Sequence, residues 1–346
     1  MRMKRLLLAL LLVIGPLSSG SSARVDLVLS IDGNKFKVDG TAKFLVFVSY
    51  FDGLDVSGGN LAYDFGELKE RGVDGVRVFP NWWGMNPNYH YAQDTLIDPD
   101  GNLRSGTLAN LLDLLDIAKA EGLLVDLSFS AETVKYCGSE PCVEEGFPDN
   151  SDLTIAELTE GLVDLADELD AGGSAYKHVL IDIQNESDRV GPTVLLDDPN
   201  DVDAIAEAIH AEASNIPVTI SLSGQVNWET AAQFAVDAEV DVATWHEEQL
   251  EAWWNYTADR VDDMQEITSK PIYLQEPLAS DEGDWTRAGI EDNVQAAKAS
   301  GAAAWCFHTR VSFQMNSANL WDELNGDEED FFDELLTILA GVSWGS

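Results

Sequence analysis

Eight short apolar runs, each five to seven residues long and rich in Val, Ile, Leu and Ala, recur between residues 44 and 307. Their hydrophobicity is continuous rather than alternating, which is the mark of parallel strands buried on both faces. They cover 44–50, 73–79, 123–129, 178–184, 217–223, 240–245, 271–275 and 302–307. Segments with helical spacing follow them at 61–72, 108–122, 154–169, 201–213, 230–238, 258–268 and 291–301, and an acidic helix at 328–340 closes the chain. In the second of these helices Leu111, Leu112, Leu115 and Ala118 share one face. Strict alternation of strand and helix predicts a parallel sheet. Eight units in a chain of this length suit a closed barrel better than an open, doubly wound sheet. No G-x-G-x-x-G follows the first strand, which argues against dinucleotide binding. Lys35 to Val38, set between two Asp-Gly pairs, predicts a small N-terminal hairpin cap at the fold's entrance. The expected fold is therefore α/β, a single (β/α)8 TIM barrel with that cap.

Composition narrows the setting. The chain has 346 residues and no Pro/Ser/Gly linker, so residues 24–346 are expected to form one domain. Residues 1–23 carry a basic start, an apolar run from Leu6 to Ile14 and small residues at Ser21, Ser22 and Ala23. That is the layout of a signal peptide, too short in its apolar part to span a bilayer. Export to an extracellular or periplasmic space and no stable membrane association after cleavage are the expectation. The net charge is −42, a field that repels nucleic acid and other polyanions. A neutral partner fits better, and a monomer is expected. Cys137 and Cys142 lie close together in a Gly/Pro/Glu-rich stretch, where export favours a small loop-closing disulfide. Cys306 sits in an apolar run and reads as a buried thiol. No Cys/His spacing resembles a zinc site. Asp98 to Asn102 reads as a turn rather than a calcium loop. Neither a metal nor a cofactor is expected.

Reactive groups in such barrels stand at the carboxyl ends of the strands. Two strands end on a glutamate: the fourth on Asn185-Glu186, the seventh on Glu276. The first ends at Tyr50, the second carries Arg77 and leads into Trp82 and Trp83, the sixth ends at His246, and the eighth carries Trp305 and His308. Two carboxylates, an arginine, an amide, histidines and indoles suit glycoside cleavage, in which one carboxyl protonates the leaving oxygen and the other attacks the anomeric carbon. Indoles stack on the apolar faces of sugars. The bland alternatives are a surface glutamate at Glu186, an ion-paired Arg77, a core histidine at His246 and core tryptophans. Arg77, Asn185, His246, Trp305, Trp82, Trp83, Tyr50 and His308 are the expected substrate-binding residues; Trp253 and Trp254 could line a distal subsite, and neither His90 nor His308 has a more specific role.

Arg77, Asn185-Glu186 and Glu276 in these positions resemble the pattern of the large clan of retaining glycosidases with (β/α)8 barrels, above all its family 5, which includes cellulases and β-mannanases. The stretch Asp98 to Leu103 followed by Leu111 to Phe129 is also similar to the second-to-third strand region of those enzymes. The resemblance implies that Glu186 is the general acid/base and Glu276 the nucleophile. It implies that Asn185 binds the hydroxyl beside the reacting carbon, Arg77 holds Glu276 ionised, and Trp305 floors the cleaved sugar. It also implies that His246 is the histidine ending strand six. The substrate would be a neutral β-linked polysaccharide or oligosaccharide of mannan or glucan type. A transglycosylase and a non-catalytic carbohydrate-binding barrel are the alternatives. Two departures stand out. Ser187 follows Asn-Glu where the family usually has proline, and Glu247-Glu248 follows His246 where it often has His-x-Tyr. Tyr256 and Tyr50 are the candidates for the missing hydroxyl.

Overall fold

The computed structural model describes residues 26–51, 53–56, 58–81, 95–129, 135–137, 140–142, 153–171, 176–188, 196–247, 256–277, 286–308 and 319–345, with backbone alone at 135–137 and 140–142. The expected leader, Trp82, Trp83, His90, Trp253 and Trp254 lie outside the described residues, as do the side chains of Cys137 and Cys142.

The chain opens with a three-stranded antiparallel sheet, β1 (Leu29–Asp32), β2 (Lys35–Val38) and β3 (Thr41–Ala42). The barrel strands follow as β4 (Leu45–Ser49), β5 (Gly75–Val78) and β6 (Leu124–Ser128). After a small hairpin, β7 (Lys135–Cys137) and β8 (Glu140–Cys142), come β9 (Val179–Asp182), β10 (Val218–Thr219) and β11 (Ser221–Leu222). The last three are β12 (Ala243–His246), β13 (Ile272–Glu276) and β14 (Ala304–Phe307). The sheet runs β10-β9-β6-β5-β4-β14-β13-β12-β11, and its pairings are parallel. The fifth strand is broken at Ile220 into β10 and β11, so the two ends of that order meet. Nine segments thus make eight staves of a closed barrel.

Helices return the chain along the outside: α1 (Gly58–Glu70), α2 (Ser105–Glu121), α3 (Ile155–Asp170), α4 (Pro199–Glu212), α5 (Trp228–Asp237), α6 (Thr257–Ile267) and α7 (Arg287–Ala299), then α8 (Leu320–Glu323) and α9 (Gly326–Ala340). Several start earlier than their apolar periodicity predicts, because a cap fixes the start before the first core residue. Thr286 accepts from the Gly289 amide and opens α7 at Arg287. Asn325 and Glu328 form a capping box that opens α9. Among the described residues no helix is long and apolar enough to cross a membrane.

Side chains alternate along each stave, and the two faces make two cores. Val46, Val48, Val76, Val125, Val179, Ile181, Trp245 and Leu274 belong to the layer under the helices. Leu45, Phe47, Leu124, Leu180, Val242, Tyr273 and Cys306 fill the barrel itself. Phe36 of β2 is fully buried in that inner cluster with Leu29, a burial worth about 2–3 kcal/mol. Its neighbours are the first residues of the staves, so the hairpin plugs the amino-terminal end. The expected cap exists, but at the end opposite the site. Room inside is tight. A Cβ on Gly75 would meet Phe47 Cε1 at 2.4 Å and the Leu124 carbonyl at 2.8 Å, so β5 can pass Phe47 only with glycine there.

Candidate active site

Above the apolar plug the inward positions turn polar. Asp126 and Ser128 of β6, Asp182 of β9 and Ser221 of β11 are all buried. The Ser128 and Ser221 hydroxyls both donate to Asp182 Oδ2, each at 3.0 Å. Arg77 of β5 lies fully buried across them, with its guanidinium 4.6 Å over the Phe79 ring. Its Nε donates to Ser128 Oγ at 2.7 Å, Nη1 to Glu276 Oε1 at 2.5 Å and Nη2 to Asn185 Oδ1 at 2.5 Å. Asp126 Oδ2 stands 3.8 Å from its Nε and Asp182 Oδ2 3.8 Å from its Nη2. Burial works against the Arg77 charge, but Glu276, Asp126 and Asp182 outweigh it and keep the guanidinium protonated. Burial also pushes the Asp126 carboxyl up to about 7, with Arg77 opposing and Asp182 adding.

A change of register brings Glu276 into this pocket. Trp245 pairs with Leu274, but His246 pairs with Glu276, so β13 holds one extra residue against β12. Such a bulge re-aims a side chain. Gln275 keeps its inward position, its amide donating to Asp126 Oδ2 at 2.7 Å. Its Oε1 lies 3.1 Å from His246 Nε2, which makes that nitrogen the donor. His246 Nδ1 then faces Glu186 Oε1 and Glu276 Oε2, 3.5 Å from each. These contacts are long for hydrogen bonds, so the attraction is mainly Coulombic. Burial lowers the His246 pKa, but Glu276 and Glu186 raise it more. His308 Nε2 lies 3.4 Å from Glu276 Oε2, and Ser49 Oγ lies 2.9 Å from His308 Nδ1. Burial alone would push the Glu276 carboxyl up. His246, His308 and Arg77 outweigh it and hold the group well below the usual carboxylate range.

Glu186 follows β9 in a different way. Its φ is +48°, the left-handed region that costs a non-glycine residue about 1–2 kcal/mol. The turn is held by Ser221 Oγ, which accepts from the Glu186 amide at 3.1 Å, and by the Ser221 carbonyl, which accepts from the Ser187 amide at 3.0 Å. Asp188 closes it by accepting from the amide and hydroxyl of Ser223, both at 2.6 Å. The Ser187 bond gives a reason for the departure noted above, since proline has no N–H to donate. The Glu186 side chain is 15% exposed against 9% for Glu276, so it stands on the open side.

Arg77, Asn185, Glu186, His246, Glu276 and His308 thus converge in one pocket. Tyr50 and Trp305 do not. Both have the outward parity of their strands, and their inward neighbours are Ser49 and Cys306. Tyr50 donates to Asp64 of α1 at 2.7 Å and packs edge-on to Phe65. Trp305 donates to Asn293 of α7 at 2.6 Å and packs on Phe331 of α9. The expectation that they touch substrate is corrected: they tie the barrel to its helices. Tyr256 stands exposed at the start of α6. Glu247 turns outward into an ion pair with Arg260, and burial pushes its carboxyl up to about 8 against that charge. Ser49, Asp126, Ser128, Asp182, Ser221 and Gln275 were missed. Each is a polar residue in an otherwise apolar strand, a signal that does not tell which face of the strand carries it.

The Glu186, His246 and Glu276 ligand atoms all lie within 4.8 Å of one another, close enough to share a metal ion. Arg77 already meets the Glu276 charge, and an ion would have to oppose it.

No family model matches the chain, and no curated protein matches it in sequence. Solved structures do match. A glycoside-hydrolase candidate from Bacteroides vulgatus superposes with a TM-score of 0.66 at 14% identity, over 92% of this chain and 62% of its own. An endo-1,4-β-mannanase from Rhizomucor miehei gives 0.57 at 13% identity, over 82% and 90% of the two chains. A glutamate-to-alanine variant of GH5_18 from Bifidobacterium longum, in complex with Manβ1-4GlcNAc, gives 0.59 at 17% identity, over 87% and 80%. The chain folds like a glycoside hydrolase. The pocket of Glu186 and Glu276 lies at the carboxyl ends of the staves, the end at which (β/α)8 barrels carry their active sites.

Proposed function

We propose that the protein is a retaining glycoside hydrolase that cleaves a neutral β-linked polysaccharide or oligosaccharide of mannan or glucan type. The observation that carries this reading is the closeness of two unlike carboxyls, Glu186 and Glu276, one oxygen of each lying within 4.8 Å of one of the other. Retaining enzymes hold their pair about 5–5.5 Å apart, whereas inverting enzymes leave about 6.5–9.5 Å for a water. Glu276 is bound to the guanidinium and is therefore the fixed anion. The acid/base role falls to Glu186 on the open side.

In the first half Glu276 attacks the anomeric carbon as the bond to the leaving oxygen breaks, and Glu186 gives that oxygen its proton. In the second half Glu186 takes a proton from water, whose oxygen attacks the same carbon, and the ester electrons return to Glu276. Asn185, whose side chain Arg77 holds, binds the adjacent hydroxyl in this scheme. The mannanase and the Manβ1-4GlcNAc complex among the similar folds, together with the net charge of −42, support a neutral β-mannoside or β-glucoside as substrate.

The test is reducing-sugar release from a panel of neutral β-glycans by wild type and Glu276→Gln. Cleavage of one polymer, with the variant at least about a thousandfold slower, is the expected result; mutations of such groups cost rate on this scale. Equal activity of the two proteins would remove Glu276 from the mechanism, and binding without cleavage would make the barrel a carbohydrate-binding one.

A further inference from the structure

Ser49, His308 and Glu276 form a line across three staves that no step above uses. Ser49 Oγ is 2.9 Å from His308 Nδ1, and His308 Nε2 is 3.4 Å from Glu276 Oε2. The connectivity is that of a serine nucleophile with its base, but Ser49 is fully buried, so no substrate reaches it. The line therefore acts toward Glu276.

The hydroxyl of Ser49 can donate or accept. When His308 is neutral, Ser49 donates to Nδ1 and the ring proton sits on Nε2. When His308 is charged, Nδ1 donates to Ser49 and Nε2 keeps its proton. The third arrangement, a bare Nε2 lone pair against a carboxylate, is repulsive. A proton on Nε2 thus faces Glu276 Oε2 in both favourable states. Phe51 holds the ring edge-to-face, with centroids 5.7 Å apart. On the neighbouring side Glu247 turns away to Arg260, so β12 gives the nucleophile His246 alone.

We propose that His308 is a catalytic residue: its Nε2–H stabilises the carboxylate of Glu276 as that group leaves the sugar, and Ser49 fixes the tautomer. This rests on the reading of Glu276 as nucleophile. When water attacks the anomeric carbon, the bond from that carbon to the Glu276 oxygen breaks, its electron pair returns to the carboxylate, and Glu186 takes the proton of water. Negative charge grows on Glu276 in that step, so a donor aimed at it lowers the barrier. Attack on the substrate disperses the same charge and gains nothing from the donor.

The test is His308→Phe assayed on the glycan that wild type cuts, beside Ser49→Ala and Glu276→Gln. kcat/KM reports only the steps up to glycosyl transfer, so the loss falls on kcat: His308→Phe is expected to lower it about tenfold, the low end for a hydrogen bond to a charged group, because the 3.4 Å contact is long and acts mainly through charge. KM should fall with it, and a burst of leaving group should precede the steady state. The acid limb of its kcat/KM profile should move to higher pH, since a group that favours the Glu276 anion is gone. The titratable and charged groups around this position are Glu276, Arg77, His246 and Glu186, with the Cys306 thiol beside Ser49. His308→Gln, which keeps an N–H, should recover part of kcat. A folded His308→Phe with wild-type kcat, no burst and an unmoved limb overturns the proposal. Should that variant not fold, Ser49→Ala decides, because it removes one oxygen: a several-fold loss of kcat with a burst supports the proposal, and wild-type kinetics overturn it. Activity in Glu276→Gln would instead defeat the nucleophile assignment itself.

Discussion

Arg77 is the residue on which the others depend, because its three donors run to two other strands, β6 and β13, and to the turn after β9. A lysine has one point charge and no fork, so Arg77→Lys could keep one of the bonds to Ser128, Glu276 and Asn185 but not all three. Each lost bond to a charged group is worth about 1.5–3 kcal/mol. We expect kcat/KM to fall at least about a hundredfold, and its acid limb to move to higher pH because Glu276 loses a charge that holds it ionised. A pH–rate profile measures both; a wild-type limb would show that Arg77 does not set the nucleophile. At this scale Glu186, Glu276 and Arg77 were legible as polar residues late in apolar strands. Asp126, Asp182 and Gln275 were not, because one polar residue inside such a strand looks the same whether it faces the barrel or the helices.

Among the elements, the eight strands and their helices were legible in the alternation of apolar runs with helical spacing. The facing of each strand was not, for a physical reason. Both faces of a barrel strand are buried, so hydrophobicity does not alternate and parity leaves no mark. Position places Tyr50 at the mouth, and position together with the family resemblance places Trp305 there, but the structure turns both outward. The bulge that brings Glu276 inward beside Gln275 is equally silent, being a property of the pairing between β12 and β13. One join between elements carries a pH signature. His178, just before β9, is fully buried and lies 3.1 Å from the Leu115 carbonyl of α2, to which its Nε2–H donates. Burial lowers its pKa to about 4. The unfolded chain, with an ordinary histidine, binds the proton first as pH falls, so stability is lost between about pH 6.5 and pH 4 and is fully present above that window. The loss from this group is on the order of 3 kcal/mol. Urea titrations of wild type and His178→Gln should converge toward acid pH; parallel curves would mean His178 is not the group responsible.

For the whole molecule, the net charge of −42 outweighs any single ion pair. Repulsion among surface carboxylates destabilises the compact state. Salt shortens its reach from about 10 Å at 0.1 M to about 3 Å at 1 M. The few cations are placed where they bridge elements: Arg287 of α7 meets Asp330 and Glu334 of α9, and Arg71 meets Asp333 of the same helix. Salt weakens these exposed pairs too, but each is worth at most about 1 kcal/mol. The melting temperature is therefore expected to rise steadily with sodium chloride from about 0.1 M to about 1 M, as scanning calorimetry can follow. A fall would mean that the bridging pairs matter more than the global field.

The central claim is that two carboxyls this close act on one sugar through a covalent intermediate, and product stereochemistry tests it most directly. Proton NMR, recorded as the β-linked glycan is first cut and before mutarotation, reads the anomer released. One oxygen of Glu186 lies within 4.8 Å of one of Glu276, which fits the narrow spacing of a retaining pair rather than the wider gap of an inverting one. The first product should therefore be the β-anomer. An initial α-anomer would mean inversion and would contradict the account.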